Sequence, residues 1–84
     1  MKTIDKYLKF KETYKDHVVI IKSGNFYYTF GDDTYIMNYL FNYQIRENKI
    51  GFPLNAKAKV KSVLNRNNVN LIEVIDDYAY ILES

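Results

Sequence analysis

The side chains that could perform acid–base or metal chemistry are few in this sequence, and their spacing does not suggest a catalytic site. His17 is the single histidine, and no serine or carboxylate stands at a diagnostic spacing from it to form a catalytic dyad. The adjacent acids Asp32 and Asp33, and Asp76 and Asp77, lie in segments with the composition of turns. A metal-dependent nuclease needs acids from separate strands around one ion, so capping and solubility explain these pairs better. We expect no catalytic residue and no metal site, and a small nuclease is the least favoured hypothesis.

The glycines exclude the common nucleotide-binding loops. Gly24, Gly31 and Gly51 are isolated from one another, whereas phosphate-binding loops and dinucleotide fingerprints need several glycines within a few residues. The chain has no cysteine, which removes disulfides and thiolate metal sites and fits a reducing compartment. We therefore expect neither a cofactor nor an enzymatic activity.

The segment 26–30, FYYTF, is the most unusual part of the sequence. In a strand, side chains alternate between the two faces, so Phe26, Tyr28 and Phe30 share one face while Tyr27 and Thr29 share the other. One face is then either an exposed aromatic surface or part of a strand covered by helices, with tyrosine hydroxyls reaching solvent at its edges. Composition alone favours the covered strand.

Positive charge is concentrated in one region of the chain. The formal net charge is only +2, which is too small by itself to indicate a nucleic-acid partner. The last twelve residues carry four acids and no base. Residues 48–72 contain no acid, and their basic residues are Lys49, Lys57, Lys59, Lys61 and Arg66. Charge alone favours the solvated face of a helix, with phosphate contacts as the alternative.

Length and composition predict one globular domain over residues 1–84. Hydrophobic residues make up 48% and charged residues 26% of the 84 positions, far from the composition of disordered chains. No apolar stretch is long enough for a signal peptide or a membrane span. We expect a cytoplasmic protein without a membrane partner.

Hydrophobic periodicity predicts eight short elements. We expect an amphipathic helix over 3–14, a central strand at 18–21 and an antiparallel strand at 26–30. A helix that starts on acid or Thr caps at 31–34 should run to about Tyr43, packed on more than one side. A short strand ends at Pro53, Asn55 caps the next helix, and strands at 69–75 and 78–82 follow, the last as an edge strand. This alternation predicts a mixed α/β (α+β) fold with a mixed sheet between helices and right-handed crossovers.

Two segments resemble the N-terminal mismatch-recognition domain of the MutS DNA mismatch-repair proteins. Residues 18–33, VVIIKSGNFYYTFGDD, are similar to that domain's apolar strand, its Gly-Asp-Phe-Tyr-Glu-Leu-Phe signature and the acidic helix start after it. Residues 50–56, IGFPLNA, with the helix and strand that follow, resemble its Ala-Gly-Ile-Pro-Tyr-His-Ala segment. With the leading helix, the resemblance covers nearly the whole chain.

The resemblance implies a DNA-facing module that is not itself an enzyme. In the family, the motif Phe inserts at a mispaired base from the minor groove, and a Glu two residues later hydrogen-bonds that base; Phe26 matches the wedge. Tyr28 stands in place of the Glu and Asn25 in place of the signature Asp. The candidate DNA-binding residues are thus Phe26, Tyr28, Asn25, Lys57, Lys59, Lys61 and Arg66. The alternative is a protein-interaction or self-association module that uses the Phe26 and Tyr28 face.

Overall fold

The order of elements predicted from the sequence is confirmed. The computed structural model describes residues 1–83, which contain three α-helices and five strands. The elements are α1 (Thr3–Thr13), β1 (Val18–Ser23), β2 (Phe26–Phe30), α2 (Asp32–Phe41), β3 (Lys49–Pro53), α3 (Lys57–Arg66), β4 (Leu71–Ile75) and β5 (Tyr78–Leu82), with a 3-10 turn at Leu54–Ala56 before α3. No helix in this part of the chain is long and apolar enough to cross a lipid bilayer.

The five strands form one mixed sheet in the order β3-β2-β1-β4-β5. The β-branched strand β1 lies at the centre, antiparallel to β2 and parallel to β4, and β5 is an edge strand, as predicted. Because β3 pairs antiparallel with β2, α2 connects two antiparallel strands. The prediction of a right-handed crossover was therefore wrong for the β2–α2–β3 segment. Only α3 connects two parallel strands, β3 and β4.

The sheet is covered on both faces, which gives three layers. Helix α1 packs on one face, where the buried residues are Tyr7, Val19, Ile21, Phe30, Ile72 and Val74. Helices α2 and α3 cover the other face, where the buried residues are Val18, Ile20, Tyr27, Met37, Ile50, Phe52, Val60, Leu64 and Leu71. Each fully buried apolar side chain contributes about 1.5–3 kcal/mol relative to an exposed one. The sheet thus divides the core into two halves, and the central strands β1 and β4 contribute side chains to both of them.

The ends of the helices differ from the sequence expectations. Helix α2 ends at Phe41, two residues early, because Asn42 adopts a left-handed conformation with φ of 57°. No side-chain cap closes the start of α2 or α3: Asn55 is exposed in the 3-10 turn, and Thr34 bonds the Gly31 carbonyl instead, at 2.6 Å. The expectation that α2 packs on more than one side was also wrong, since Tyr35 and Tyr39 are exposed.

Asp33 is buried rather than capping, and it joins three elements. Its Oδ2 accepts hydrogen bonds from the Tyr7 hydroxyl at 2.7 Å and from the Val19 backbone N–H at 3.1 Å. Its Oδ1 accepts one from Lys11 Nζ at 3.0 Å. Burial, and then the hydrogen bond to Asp33, raise the pKa of Tyr7 well above its ordinary value. The carboxylate thus ties α1, β1 and α2 together.

Glu73 is a second buried carboxylate, on the opposite face of the sheet. Its two oxygens lie 3.1 and 3.0 Å from Lys57 Nζ at the start of α3. The Tyr27 hydroxyl donates to Glu73 Oε2, and burial, then this hydrogen bond, raise the pKa of Tyr27. These contacts join β2, β4 and α3.

Candidate nucleic-acid interface

Phe26 and Tyr28 form an aromatic pair on the α1 side of the sheet. Phe26 opens β2 directly after the hairpin turn, and its side chain is 44% exposed. Tyr28 is half-buried two residues later, with its ring centroid 6.2 Å from that of Phe26. Exposure of Phe26 and Tyr28 on one face agrees with the alternation expected from the sequence, while Phe30, the third member of that face, is buried under α1.

Tyr28 lies flat on the bare backbone of the neighbouring strand. It pairs with Gly51 in β3, and a Cβ built on Gly51 would come within 2.7 Å of the Tyr28 ring. Only a glycine allows this approach, because any side chain there would displace the ring. Lys49 Nζ sits over the same ring, 5.1 Å from its centroid. Glycine and lysine together hold the aromatic ring in place and add a positive charge beside it.

We call the surface made by Phe26, Tyr28, Lys49, Gly51 and Pro53 the aromatic shelf. These residues share a face because Phe26 pairs with Pro53 and Tyr28 with Gly51 in the antiparallel ladder. Lys49, Gly51 and Pro53 are exposed, so no helix covers the outer part of the shelf. The surface is therefore open to a ligand along the β3 edge.

Helix α1 borders the shelf with two apolar side chains. Lys11 on one flank of α1 reaches the start of α2, whereas Lys6 on the other flank reaches toward the β4–β5 turn. At about 100° per residue, Ile4 and Leu8 fall on the Lys11 flank, which is the flank nearer β2. Their side chains are 38% and 57% exposed. These two exposed apolar side chains therefore lie on the flank of α1 that faces the strand carrying Phe26 and Tyr28.

Asn25 lies at the tip of the hairpin and also contributes a backbone contact. It is exposed, and its carbonyl accepts a hydrogen bond of 3.4 Å from the Leu54 N–H. This bond holds the hairpin against the turn that follows β3, which fixes the position of Phe26 next to it. Asn25 and Phe26 therefore occupy one rigid corner of the sheet.

The structure places the α3 cations away from the aromatic pair. Helix α3 packs on the opposite face of the sheet from α1, and its antiparallel course relative to β4 puts Lys57 at the Phe26 end and Arg66 at the far end. Lys57 is paired with Glu73, and Lys59 Nζ lies 6.0 Å from the Phe41 ring centroid. The expected combination of Phe26 with these four cations in one contact surface is not what the fold assembles.

Lys61 and Arg66 instead line a groove on the outer side of α3. The groove has a volume of about 510 Å³ and is lined by Ala58, Lys61, Ser62, Asn65 and Arg66. Ala58 and Ser62 are small, which leaves room between the two cations. The side chains of Lys61 and Arg66 form no ion pair within residues 1–83.

Three residues of the shelf were not predicted from the sequence as site residues: Lys49, Gly51 and Pro53. Lys49 counted only as part of the basic region, Gly51 only as an isolated glycine, and Pro53 only as the end of a strand. The signal that would have found them is the register between β2 and β3, which the sequence leaves undetermined. Of the residues considered for acid–base chemistry, His17 has a buried Nδ1 without a hydrogen-bond partner among the described residues, and the described residues contain no cluster of three metal ligands.

Substituting Gly51 by alanine is expected to lift the Tyr28 ring off the sheet. The new Cβ would overlap the ring, while its extended backbone accepts alanine without strain, so the stability change should stay within about 1 kcal/mol. NMR spectra with labelled tyrosine should show shifted Tyr28 ring resonances. Gly24→Ala is the control, since that position has a φ of +63° and no atom within 4 Å of a built Cβ. It should reduce stability and leave the Tyr28 resonances in place; the opposite pattern would contradict this packing.

Comparison with known protein families identifies a match to this chain. The family model described as MutS domain I matches residues 2–72 of the chain. This span includes α1, both hairpin strands, the aromatic shelf and α3. Among curated proteins, no similar sequence was found.

Proposed function

This chain belongs to the MutS domain I family, and on that premise we propose that it is a non-enzymatic DNA-binding module that recognises mispaired or distorted duplex DNA. The observation that carries the proposal is the position of Phe26. Its ring is exposed at the first residue of β2, where the family has its wedge, and the rest of the sheet holds it rigidly. A role in DNA mismatch repair is part of the proposal, and the cytoplasmic location expected from the sequence stays a prediction.

A rigid apolar ring at a corner suits insertion into a base step. Unstacking a step costs a few kcal/mol, and the cost is lowest where the bases are mispaired. Phe26 sits on a strand paired on both sides, so its backbone needs no further ordering when the ring inserts. Discrimination then comes from the DNA, since a mismatched step opens more easily than a matched one.

Tyr28 and Lys49 support the wedge in this proposal. Tyr28 has no carboxylate to hydrogen-bond a base, but its ring can stack and its hydroxyl can hydrogen-bond. Lys49 places a cation beside the rings, in reach of the phosphate backbone next to the inserted ring. Lys49 replaces the α3 cations as the candidate phosphate contact at this site.

A protein-interaction module is the second candidate function. The observation that favours it is the exposure of Ile4 and Leu8 on the flank of α1 that faces the strand carrying Phe26 and Tyr28. A partner protein, or a second copy of the chain, would bury these side chains together. In that case Phe26 would contribute to a protein contact rather than to DNA.

Removal of the Phe26 ring is expected to abolish the preference for mismatched DNA. Fluorescence anisotropy would compare matched, mismatched and single-stranded DNA at two salt concentrations, for the wild type and Phe26→Ala. Stacking on one aromatic ring is worth about 1–3 kcal/mol, so mismatched duplex should bind about 10-fold more weakly to the variant. Matched duplex should change little, and the stability of the protein should fall by about 1 kcal/mol, because Phe26 is only partly buried.

Tyr78→Ala is the matched control, since Tyr78 is an aromatic residue of β5 that is 70% exposed. It should leave the preference for mismatched DNA intact. Equal loss in both variants would indicate a non-specific effect. If the wild type binds no DNA at low salt, the proposal fails and the protein-interaction hypothesis takes its place.

A further inference from the structure

Helix α2 presents two tyrosines to solvent. The side chains of Tyr35 and Tyr39 are 65% and 85% exposed, and Met37, midway between them, is fully buried in the core. Positions two residues away from Met37 lie about 200° around the helix, so both tyrosines point directly outward. They are four residues apart, with Cβ atoms about 5–6 Å from each other. Nothing in the part of the chain that the structure describes forms a ring contact with either of them.

The positive charge near these tyrosines comes from α3 and not from α2. Helix α3 carries no acid, and its basic residues are Lys57, Lys59, Lys61 and Arg66, whereas α2 carries no base and begins with the exposed Asp32 and the buried Asp33. Helix α3 lies beside α2, as the position of Lys59 over the Phe41 ring shows. Of its cations, Lys57 is neutralised by Glu73, while Lys61 and Arg66 line the outer groove. The exposed aromatic rings thus come from α2, and the unpaired positive charge comes from the neighbouring α3.

We propose that this outer face of α2 and α3 binds a single nucleic-acid strand. The rings of Tyr35 and Tyr39 stack on successive bases, and Lys61 and Arg66 contact the phosphates. Exposed rings beside a basic groove are the combination that single-strand binding requires, because every unpaired base offers a face for stacking. A duplex would engage only the cations, since its bases are already stacked. Tyrosines are also common in protein–protein interfaces, so a protein partner with an acidic surface is the competing occupant, and a wild type that binds no strand would favour that partner and overturn the inference.

This surface is separate from the aromatic shelf. The shelf lies on the α1 face of the sheet, whereas α2 and α3 cover the other face, so one ligand segment cannot contact both at once. The inference does not rest on the proposed wedge function. One module could therefore hold a distorted duplex on one face and an unpaired strand on the other.

The test measures binding of fluorescent single-stranded DNA and single-stranded RNA of mixed sequence to the full chain. Tyr35→Ala and Tyr39→Ala are each expected to weaken strand binding about 10-fold, and Lys61→Ala and Arg66→Ala should each lower the salt-dependence slope by about 0.7. The control pair is Tyr78→Ala and Tyr80→Ala, two exposed tyrosines of β5, which should bind like the wild type. Thermal unfolding checks that every variant is folded.

The outcomes separate this surface from the shelf. If Tyr35→Ala and Tyr39→Ala lose strand binding but keep the preference for mismatched duplex, the inference stands whether or not Phe26 acts as a wedge. Tighter binding of RNA than of DNA, or the reverse, identifies the source of the strand and supports the inference equally. If both tyrosine variants bind strands like the wild type, or if only Phe26→Ala reduces that binding, the inference is overturned.

Discussion

Asp33→Ala is expected to lower the free energy of unfolding by about 3–5 kcal/mol. The substitution removes the acceptor for the Tyr7 hydroxyl, the Val19 N–H and Lys11 Nζ at once. Each buried donor left without a partner costs about 1–3 kcal/mol, and Tyr7 is 3% exposed. A domain of this size has a total stability of about 5–15 kcal/mol at best. We therefore expect the variant to be close to unfolding at room temperature.

The neighbouring residue provides a matched control. Asp32 is exposed at the start of α2, so Asp32→Ala should change stability by about 0.5 kcal/mol or less. Urea unfolding followed by circular dichroism measures both variants, and the midpoint should fall strongly for Asp33→Ala with an unchanged slope. Equal effects of the two substitutions would show that Asp33 acts through the helix terminus rather than through its buried hydrogen bonds.

The different burial of the adjacent Asp32 and Asp33 illustrates which structural features the sequence can predict and which it cannot. Local pattern was sufficient for the element order: the run of Val18 to Ile21 indicated the central strand, and Pro53 marked the end of β3. The burial of Asp33 depends on Tyr7, which is 26 residues away in sequence. A helix-start signal is the same whether the acid points to solvent or into the core, so the sequence predicted a cap.

The candidate site was predictable to a similar degree. The resemblance placed Phe26 at the wedge position, and alternation placed Tyr28 on its face. The contact of Tyr28 with Gly51 depends on strand register, and the position of α3 depends on which face of the sheet its crossover covers. Neither is encoded in residue spacing. The sequence pattern therefore grouped the α3 lysines with Phe26, whereas the fold places α3 on the opposite face of the sheet.

Glu73→Ala is expected to lower the free energy of unfolding by about 3 kcal/mol or more. It leaves the Tyr27 hydroxyl buried without an acceptor and creates a cavity beneath α3. Tyr27→Phe should cost only about 1 kcal/mol, because Glu73 keeps its bonds to Lys57. Urea unfolding of the two variants measures the difference. Similar losses for both would mean that the Tyr27 hydroxyl, rather than the carboxylate, carries the stabilisation.

The same carboxylate determines which lysines are available to a ligand. Because the Lys57 ammonium is bound to Glu73, Lys57→Ala should leave a buried charge poorly paired and lower stability by about 1–2 kcal/mol, while strand binding changes little. Lys61 has no such partner, so Lys61→Ala should leave the urea midpoint unchanged and reduce the salt dependence of strand binding. Measuring the urea midpoint and the salt dependence of strand binding for both variants separates a lysine that stabilises the fold from one that binds the ligand. If Lys57→Ala weakens strand binding as much as Lys61→Ala does, the Lys57–Glu73 pair opens in solution, and Lys57 belongs to the binding surface.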